Sequence, residues 1–140
     1  MTPSNTPPTY LVSGCLVGLC TRYDGKIREN PECLRQVQHA IWIPICPEQL
    51  GGLPTPREAA DICGGDGADV LAGTARVVSR SGIDCTDEFI RGAEQVLLLA
   101  RRQNIRTVFL KARSPSCAVN GKIGVTAALL RSAGLELIEF

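Results

Sequence analysis

Residues Thr9–Ser13 read Thr-Tyr-Leu-Val-Ser and are followed at once by Gly14 and Cys15. This run is short, apolar and rich in β-formers, and a glycine bounds it, so it predicts a strand. Two further apolar runs have the same character, at 40–45 and 106–111. Helical patterns separate these runs. Strands that alternate with helices predict an α/β fold with a mostly parallel sheet.

The remaining elements follow from capping signals and periodicity. The clearest helix covers about 86–103, because its apolar residues recur at helical spacing, with Asn104 as a C-cap. Asn30 and Pro31 predict the start of a shorter helix that ends near His39. The other predicted elements are a turn or hairpin at 61–73, a short strand at 75–79, a helix at 124–133 and a final strand at 135–140.

Length and composition indicate one ordinary folded domain. The chain has 140 residues, of which 44% are hydrophobic and 21% charged. Its net charge is +1, so no overall field selects nucleic acid or an anionic membrane as partner. We expect residues 9–140 to form a single domain behind a flexible polar tail at 1–8. The start of the sequence has no secretion signal and no apolar run is long enough for a membrane helix, which predicts a cytoplasmic protein.

Seven cysteines are unusual for a chain of this kind. Their odd number and the missing export signal argue against a disulfide scaffold, and no Cys-x-x-Cys pair is present for a thioredoxin-type or zinc-knuckle site. The single histidine, His39, rules out a His-rich metal site. Two interpretations remain: the cysteines are small buried hydrophobic residues, or some are thiolates that hold zinc, cuprous copper or an iron–sulfur cluster.

Position along the chain favours the second interpretation for three cysteines. Cys15, Cys46 and Cys117 each lie just beyond the carboxyl end of a predicted strand. Ligands of an open parallel sheet bind in the crevice outside those ends, so neighbouring parallel strands would bring these thiols together. The other cysteines fall in predicted loops or helices and are interpreted as structural: Cys20, Cys33, Cys63 and Cys85. Three thiolates leave one position of a four-cornered site open, and a [4Fe–4S] cluster held in this way would expose one iron.

Four motifs, taken in order, resemble one known family. They are Leu-Val-Ser-Gly-Cys-Leu-Val-Gly at 11–18, Arg-Tyr-Asp-Gly at 22–25, Ile-Cys-Pro-Glu-Gln-Leu-Gly-Gly-Leu-Pro-Thr-Pro-Arg at 45–57 and Lys-Ala-Arg-Ser-Pro-Ser-Cys at 111–117. The chain resembles the thiouracil desulfidase family from about Tyr10 to Phe140. It departs from the expected pattern at Gly14, where we expect a serine or an alanine.

The resemblance implies a Rossmann-like, three-layer α/β sandwich and a [4Fe–4S] cluster on Cys15, Cys46 and Cys117, with one iron left open. It also implies an enzyme that removes sulfur from 2- or 4-thiouracil, or from a 4-thiouridine nucleoside or nucleotide, and releases the oxo compound and sulfide. The open iron would bind the substrate sulfur as a Lewis acid. Glu48 and Ser114 match the residues expected to act on substrate or water, and a carboxylate there can take up or return a proton.

Several alternatives stay open at this stage. The same three cysteines would also suit a non-enzymatic iron–sulfur or zinc protein. A desulfidase for thiolated tRNA would need a local basic patch, since the net charge of +1 does not supply the electrostatic attraction. Glu48 is otherwise a solvated loop carboxylate or a helix-start residue, and Ser114 an ordinary turn residue before a proline. The weaker candidates are Asp24 as a site or turn residue, Lys111 and Arg113 as phosphate contacts or solvated charges, Lys122 and Thr126 as a phosphate site or helix punctuation, His39 as a surface residue and Trp42 as core.

Overall fold

The structure is a computed structural model and describes residues 6–140. Within that range the strands are β1 (Thr9–Ser13), β2 (Ile41–Ile45), β3 (Ala60–Cys63), β4 (Arg76–Ser79), β5 (Thr107–Leu110) and β6 (Glu136–Glu139). Four of them form the main sheet, in the order β2-β1-β5-β6, and every neighbouring pair is parallel. The other two, β3 and β4, form a small antiparallel sheet. The predicted α/β class with a mostly parallel sheet is confirmed.

Helices cover both faces of the main sheet. They are α1 (Pro31–Val37), α2 (Pro47–Leu50), α3 (Gly67–Ala72), α4 (Thr86–Arg102) and α5 (Val125–Ser132), and a 3-10 turn at Gly14–Val17 follows β1. Leu11 packs into the core that β1 shares with α4 and α5, whereas Val12 packs with Val37 of α1 and Phe109 on the other face. Successive side chains of a strand point to opposite faces, so adjacent residues of β1 stabilise two separate cores. The three-layer arrangement follows from this alternation.

The predicted turn or hairpin at 61–73 is wrong, because this segment contains most of β3 and all of α3. Asp66 and Asp69 form a reciprocal capping box, in which each carboxylate accepts a hydrogen bond from the other residue's backbone N–H. Gly67 packs so closely against α5 that a Cβ there would lie 2.2 Å from the carbonyl oxygen of Gly124. The glycine and aspartate content that indicated a turn therefore serves helix capping and close packing.

Smaller differences also have local causes. Helix α2 was not predicted, because four residues are too short to show a periodicity, although Pro47 occupies its first turn. Cys63 ends β3 and does not lie in a loop or helix. The predicted C-cap of α4 moves to Gln103, and Asn104 follows it with a left-handed φ of 53°. Pro44 continues the register of β2 opposite Val12, which an edge strand tolerates.

Most of the predicted tail, residues 1–5, lies outside the described part of the chain. Within the described part, the carbonyl oxygen of Pro8 accepts a hydrogen bond from the backbone N–H of Ile41 at 2.9 Å. None of the helices in residues 6–140 combines the length and apolar character that a membrane-crossing segment requires.

Candidate active site

Three strands of the main sheet end at one cleft. Strand β1 lies between β2 and β5 and is parallel to both, so the carboxyl ends of all three meet at the same edge. The cleft at this edge has a volume of about 360 Å³, and its lining includes Cys15, Cys46 and Cys117. The structure thus brings the three candidate cysteines together, although they are far apart in the sequence. Their role as cluster ligands stays a prediction.

Each thiol is positioned by the segment that leaves its strand. Cys15 lies on the 3-10 turn after β1, and Cys46 directly follows β2, where its Sγ donates a hydrogen bond to the carbonyl oxygen of Thr21 at 3.6 Å. Cys117 lies in the loop after β5. The hydroxyl of Ser114 shapes that loop, because its Oγ accepts hydrogen bonds from the N–H groups of Ser116 at 3.2 Å and Cys117 at 3.0 Å.

Burial raises the pKa of all three thiols, and raises that of Cys117 to about 12 although hydrogen bonds with Ser13 and Ser116 oppose the shift. A negative charge on Cys46 raises the pKa of Cys15 and Cys117 further, which reflects how close the three groups are. Three thiolates in this cleft therefore need positive charge to balance them. Metal ions bound by thiolates supply such charge.

Glu48 lies in the first turn of α2, and both of its carboxylate oxygens have partners. Oε1 accepts a hydrogen bond from Nε of Arg57 at 2.9 Å, and Oε2 accepts one from Oγ of Ser116 at 3.0 Å. Only 13% of the Glu48 side chain is exposed, against 6% for Arg57. Of the two alternatives for Glu48, the solvated loop carboxylate does not describe this position, whereas the helix-start residue does, since Glu48 lies in the first turn of α2.

The two serines of the loop form one hydrogen-bonded chain with Glu48. A carboxylate only accepts, so the Ser116 hydroxyl donates to Glu48 and must accept in its 3.0 Å contact with the Ser114 hydroxyl. Ser114 donates that hydrogen and accepts two backbone N–H groups, so its hydroxyl is engaged within the loop. Sequence reasoning selected Ser114 and missed Ser116, whose buried hydroxyl also lies 3.6 Å from Sγ of Cys117.

Arg57 is the second site residue that sequence reasoning missed. Besides the ion pair with Glu48, its guanidinium contacts the carbonyl oxygen of Thr21 at 2.9 Å, the carbonyl oxygen of Pro54 at 3.2 Å, the hydroxyl of Thr55 at 2.9 Å and Sγ of Cys46 at 3.8 Å. The sequence did contain a signal for Arg57, because this residue ends the Thr-Pro-Arg motif at 55–57. Nothing in the sequence, however, distinguishes a buried arginine from a solvated loop arginine.

The rest of the lining includes four basic side chains: Arg22, Arg28, Lys111 and Arg113. Asp24 does not belong to that lining among the described residues. Its carboxylate accepts two hydrogen bonds from the Arg22 guanidinium, at 3.1 and 3.0 Å, and one from the Lys26 N–H at 3.0 Å. The hydrogen bonds from Arg22 lower the pKa of Asp24 to about 2. Asp24 thus stabilises the turn, and it affects the cleft by holding the guanidinium of Arg22 in position.

The remaining candidates lie elsewhere. Nζ of Lys122 donates a hydrogen bond to the carbonyl oxygen of Ile62, and the buried hydroxyl of Thr126 has no hydrogen-bond partner within residues 6–140. His39 is exposed, and Trp42 packs against a core cluster, as predicted for both. In the described chain the other cysteines are absent from the cleft lining: Cys33 and Cys85 are buried, and Cys20 and Cys63 are exposed.

The thiols border the cleft and do not converge on one point. In residues 6–140, no group of three or more His, Cys, Asp or Glu side chains is arranged to hold a single metal ion. The donor set nevertheless has a clear chemical preference, because thiolates favour soft metal centres, including iron–sulfur clusters, over hard cations.

Fold and cleft together define an α/β protein of Rossmann type with a thiol-lined ligand cleft at the carboxyl edge of its parallel sheet. Residues 10–139 match the model of the 2-thiouracil desulfurase family, and the chain belongs to that family. The uncharacterized protein YbbK of Bacillus subtilis (strain 168) is 43% identical over 141 residues, which cover 92% of this chain and 93% of YbbK. The solved structure of the [4Fe-4S]-dependent thiouracil desulfidase TudS is similar with a TM-score of 0.73 and 38% identity, over 94% of this chain and 90% of TudS.

Proposed function

We propose that this protein is a [4Fe–4S]-dependent desulfidase that converts a thiolated uracil into the oxo compound and sulfide. The observation that carries the proposal is the meeting of three sequence-distant thiols, Cys15, Cys46 and Cys117, in one cleft that also contains Glu48. Membership of the 2-thiouracil desulfurase family and the similarity to TudS support it.

The residues of the cleft fit a cluster of this kind. Three thiols are the soft donors that iron–sulfur clusters require, and they border a volume larger than a single ion needs. We infer that Cys15, Cys46 and Cys117 hold the cluster. Its iron without a protein ligand would supply a Lewis acid with affinity for the sulfur of the substrate.

The overall reaction is a hydrolysis, in which water supplies the oxygen of the new C=O bond and the sulfur leaves as sulfide. No net electron transfer is needed. Glu48 is the acid–base candidate, because a positioned carboxylate can take a proton from the attacking water and return it to a ring nitrogen or to the leaving sulfide. Arg57 and Ser116 hold its two oxygens, so its orientation in the cleft is fixed.

Ser114 remains a candidate for contact with the substrate. Its hydrogen bonds to the loop support a second role, in which it sets the orientation of Ser116 and of the Cys117 backbone. Lys111 and Arg113 line the same cleft and are candidates to meet a phosphate group. We therefore propose a small thiolated pyrimidine as substrate, with the base, nucleoside and 5′-monophosphate to be compared directly.

The test is anaerobic purification followed by iron, zinc and acid-labile sulfide analysis and by a sulfide-release assay. The proposal expects brown protein with about four iron atoms per chain. It also expects sulfide and oxo product from 2-thiouracil, 4-thiouracil, 4-thiouridine or its 5′-monophosphate. Colourless protein with stoichiometric zinc would end the iron proposal. Brown protein that releases no sulfide from these compounds contradicts the enzyme, and activity on thiolated tRNA alone would replace the small substrate.

A further inference from the structure

Arg57 connects three separate segments of the cleft. Its guanidinium reaches the segment after the first thiol through Thr21, the segment after β2 through Glu48 and Cys46, and its own loop through Thr55. The backbone N–H of Arg57 adds a 2.7 Å hydrogen bond to the carbonyl oxygen of Tyr23. One residue thus links loops that follow different strands of the sheet.

The burial of this guanidinium requires that its hydrogen-bonding groups be used. The Arg57 side chain is 6% exposed, and leaving a buried charge or N–H group without a partner costs free energy. Nε donates to Glu48, and the two terminal nitrogens are divided between backbone carbonyls, a hydroxyl and the Cys46 sulfur. This division depends on the planar fork of a guanidinium, which a lysine ammonium cannot reproduce.

We propose that Arg57 is a positioning residue for the reaction. It holds Glu48 in the orientation in which the carboxylate serves water and substrate, and it donates an N–H···S hydrogen bond to the thiolate of Cys46. The inference about Glu48 rests on the proposed function, whereas the contact with Cys46 requires only that the cluster is bound there. Residues that orient ligands and catalytic groups in this way typically change activity about 10- to 100-fold when they are replaced.

The two contacts predict two separate effects of Arg57→Lys. The first is a fall in kcat of about 10- to 100-fold with little change in KM, because the substrate still binds while Glu48 loses its fixed orientation. The second is a change in the cluster itself. Loss of the N–H···S hydrogen bond makes the Cys46 sulfur more electron-rich and lowers the midpoint potential of the bound cluster, which is measured without any turnover.

Arg91→Lys is the matched control. Arg91 donates a hydrogen bond to the carbonyl oxygen of Gly51 at 3.0 Å, so it supports the same 47–57 segment without contacting Glu48 or Cys46. A purely structural role for Arg57 predicts that both variants change thermal stability and that both leave kcat and the midpoint potential unchanged. The proposal expects Arg57→Lys alone to shift both quantities at unchanged iron content.

Different outcomes test the proposed function and the positioning role of Arg57. If cluster-loaded wild-type protein releases no sulfide from the thiolated uracils, the proposed function fails, and the midpoint potential still tests the Cys46 contact. If the wild type is active and Arg57→Lys retains its kcat and potential, Arg57 is not a positioning residue. Should Arg57→Lys fold poorly, Thr55→Val removes one anchor of the guanidinium and is expected to shift kcat in the same direction by a smaller factor. An unchanged kcat in soluble Thr55→Val protein would then contradict the proposal.

Discussion

The three thiols of the cleft are not equally buried. Cys117 is 4% exposed, whereas Cys15 and Cys46 are partly accessible. A cluster on these residues would have its most enclosed attachment at Cys117.

Cys117→Ser is expected to lose most of the cluster, because a serine hydroxyl is a poor ligand for iron and no described cysteine besides Cys15 and Cys46 lines the cleft to take its place. Iron and acid-labile sulfide per chain, measured after anaerobic purification, check this. Cys63→Ser is the control, since Cys63 is exposed and outside the cleft, and should retain wild-type iron. Equal iron loss in both variants would contradict the assignment of ligands.

Glu48→Gln is expected to keep the cluster and to lower kcat by about a hundredfold or more, because the amide has nearly the same shape and cannot take up the proton. The amide oxygen can still accept the hydrogen bond from Arg57 while the amide NH2 donates to the Ser116 hydroxyl, so the loop with Cys117 should stay in place. Single-turnover sulfide release and the visible spectrum of the cluster provide the two measurements. Full activity in Glu48→Gln would remove Glu48 from the acid–base role.

Helices α2 and α4 approach each other through two glycines. A Cβ on Gly92 would lie 1.9 Å from the carbonyl oxygen of Pro47, and a Cβ on Gly51 would lie 1.9 Å from that of Glu88. Pro47 directly precedes Glu48, so this contact fixes the position from which the side chain of the candidate acid–base residue enters the cleft. The packing of α2 against α4 therefore also determines the geometry of the site.

Gly92→Ala tests this contact, because the expected change in the free energy of unfolding is opposite in sign to the change that helix propensity predicts. Helix propensity alone predicts a gain of about 1 kcal/mol in the free energy of unfolding. We expect a loss of about 1–3 kcal/mol, because the new methyl group overpacks the contact with α2. Urea unfolding measures the change, and Gln95→Ala on an exposed position of the same helix should be close to neutral. A stabilised Gly92→Ala protein would show that the two helices can separate at little cost.

At the scale of the whole molecule, the carboxyl groups with a shifted pKa all move in the same direction. Their pKa is lowered at Asp24, Glu32, Glu58, Asp84 and Glu139. Burial alone would raise the pKa of Glu139, but hydrogen bonds from Asn120 and Val119 and the charge of Lys111 outweigh it. In contrast, burial raises the pKa of the Cys33 and Cys85 thiols to about 11.

These shifts predict a stability maximum near neutral pH for the cluster-free, reduced protein. A lowered carboxyl pKa gives stability that is present above the unfolded value of about 4 and is lost as the pH falls through the folded value. A raised thiol pKa gives stability that is present below about 8.5 and is lost as the pH rises toward 11. Urea unfolding from acid to alkaline pH checks both arms. Glu139→Gln should flatten the acid arm and Cys33→Ala the alkaline arm, and unchanged slopes would contradict the assignments.

The sequence predicts the sheet better than it predicts the site. Strand β1 was predicted with its observed bounds, and the three cysteines were predicted to meet at one sheet edge on the condition that their strands are parallel neighbours, which they are. Glu48 was selected because the Cys-Pro-Glu sequence matches the family resemblance, and it lies two positions from Cys46. Its partners Arg57 and Ser116 were not, since their contacts arise only when loops from different strands fold together. Helix α3 was missed because glycine and aspartate serve turns and helix caps equally well.

The thiols of the cleft come from positions 15, 46 and 117, each at the end of a different strand. The last of them leaves the ribosome only after β1, β2 and β5 have been synthesised. A group that needs all three attachments cannot be retained by a nascent chain that lacks Cys117. Insertion of the proposed cluster would therefore follow synthesis of β1, β2 and β5, and an iron donor in the cell would have to recognise a chain that already contains these three strands.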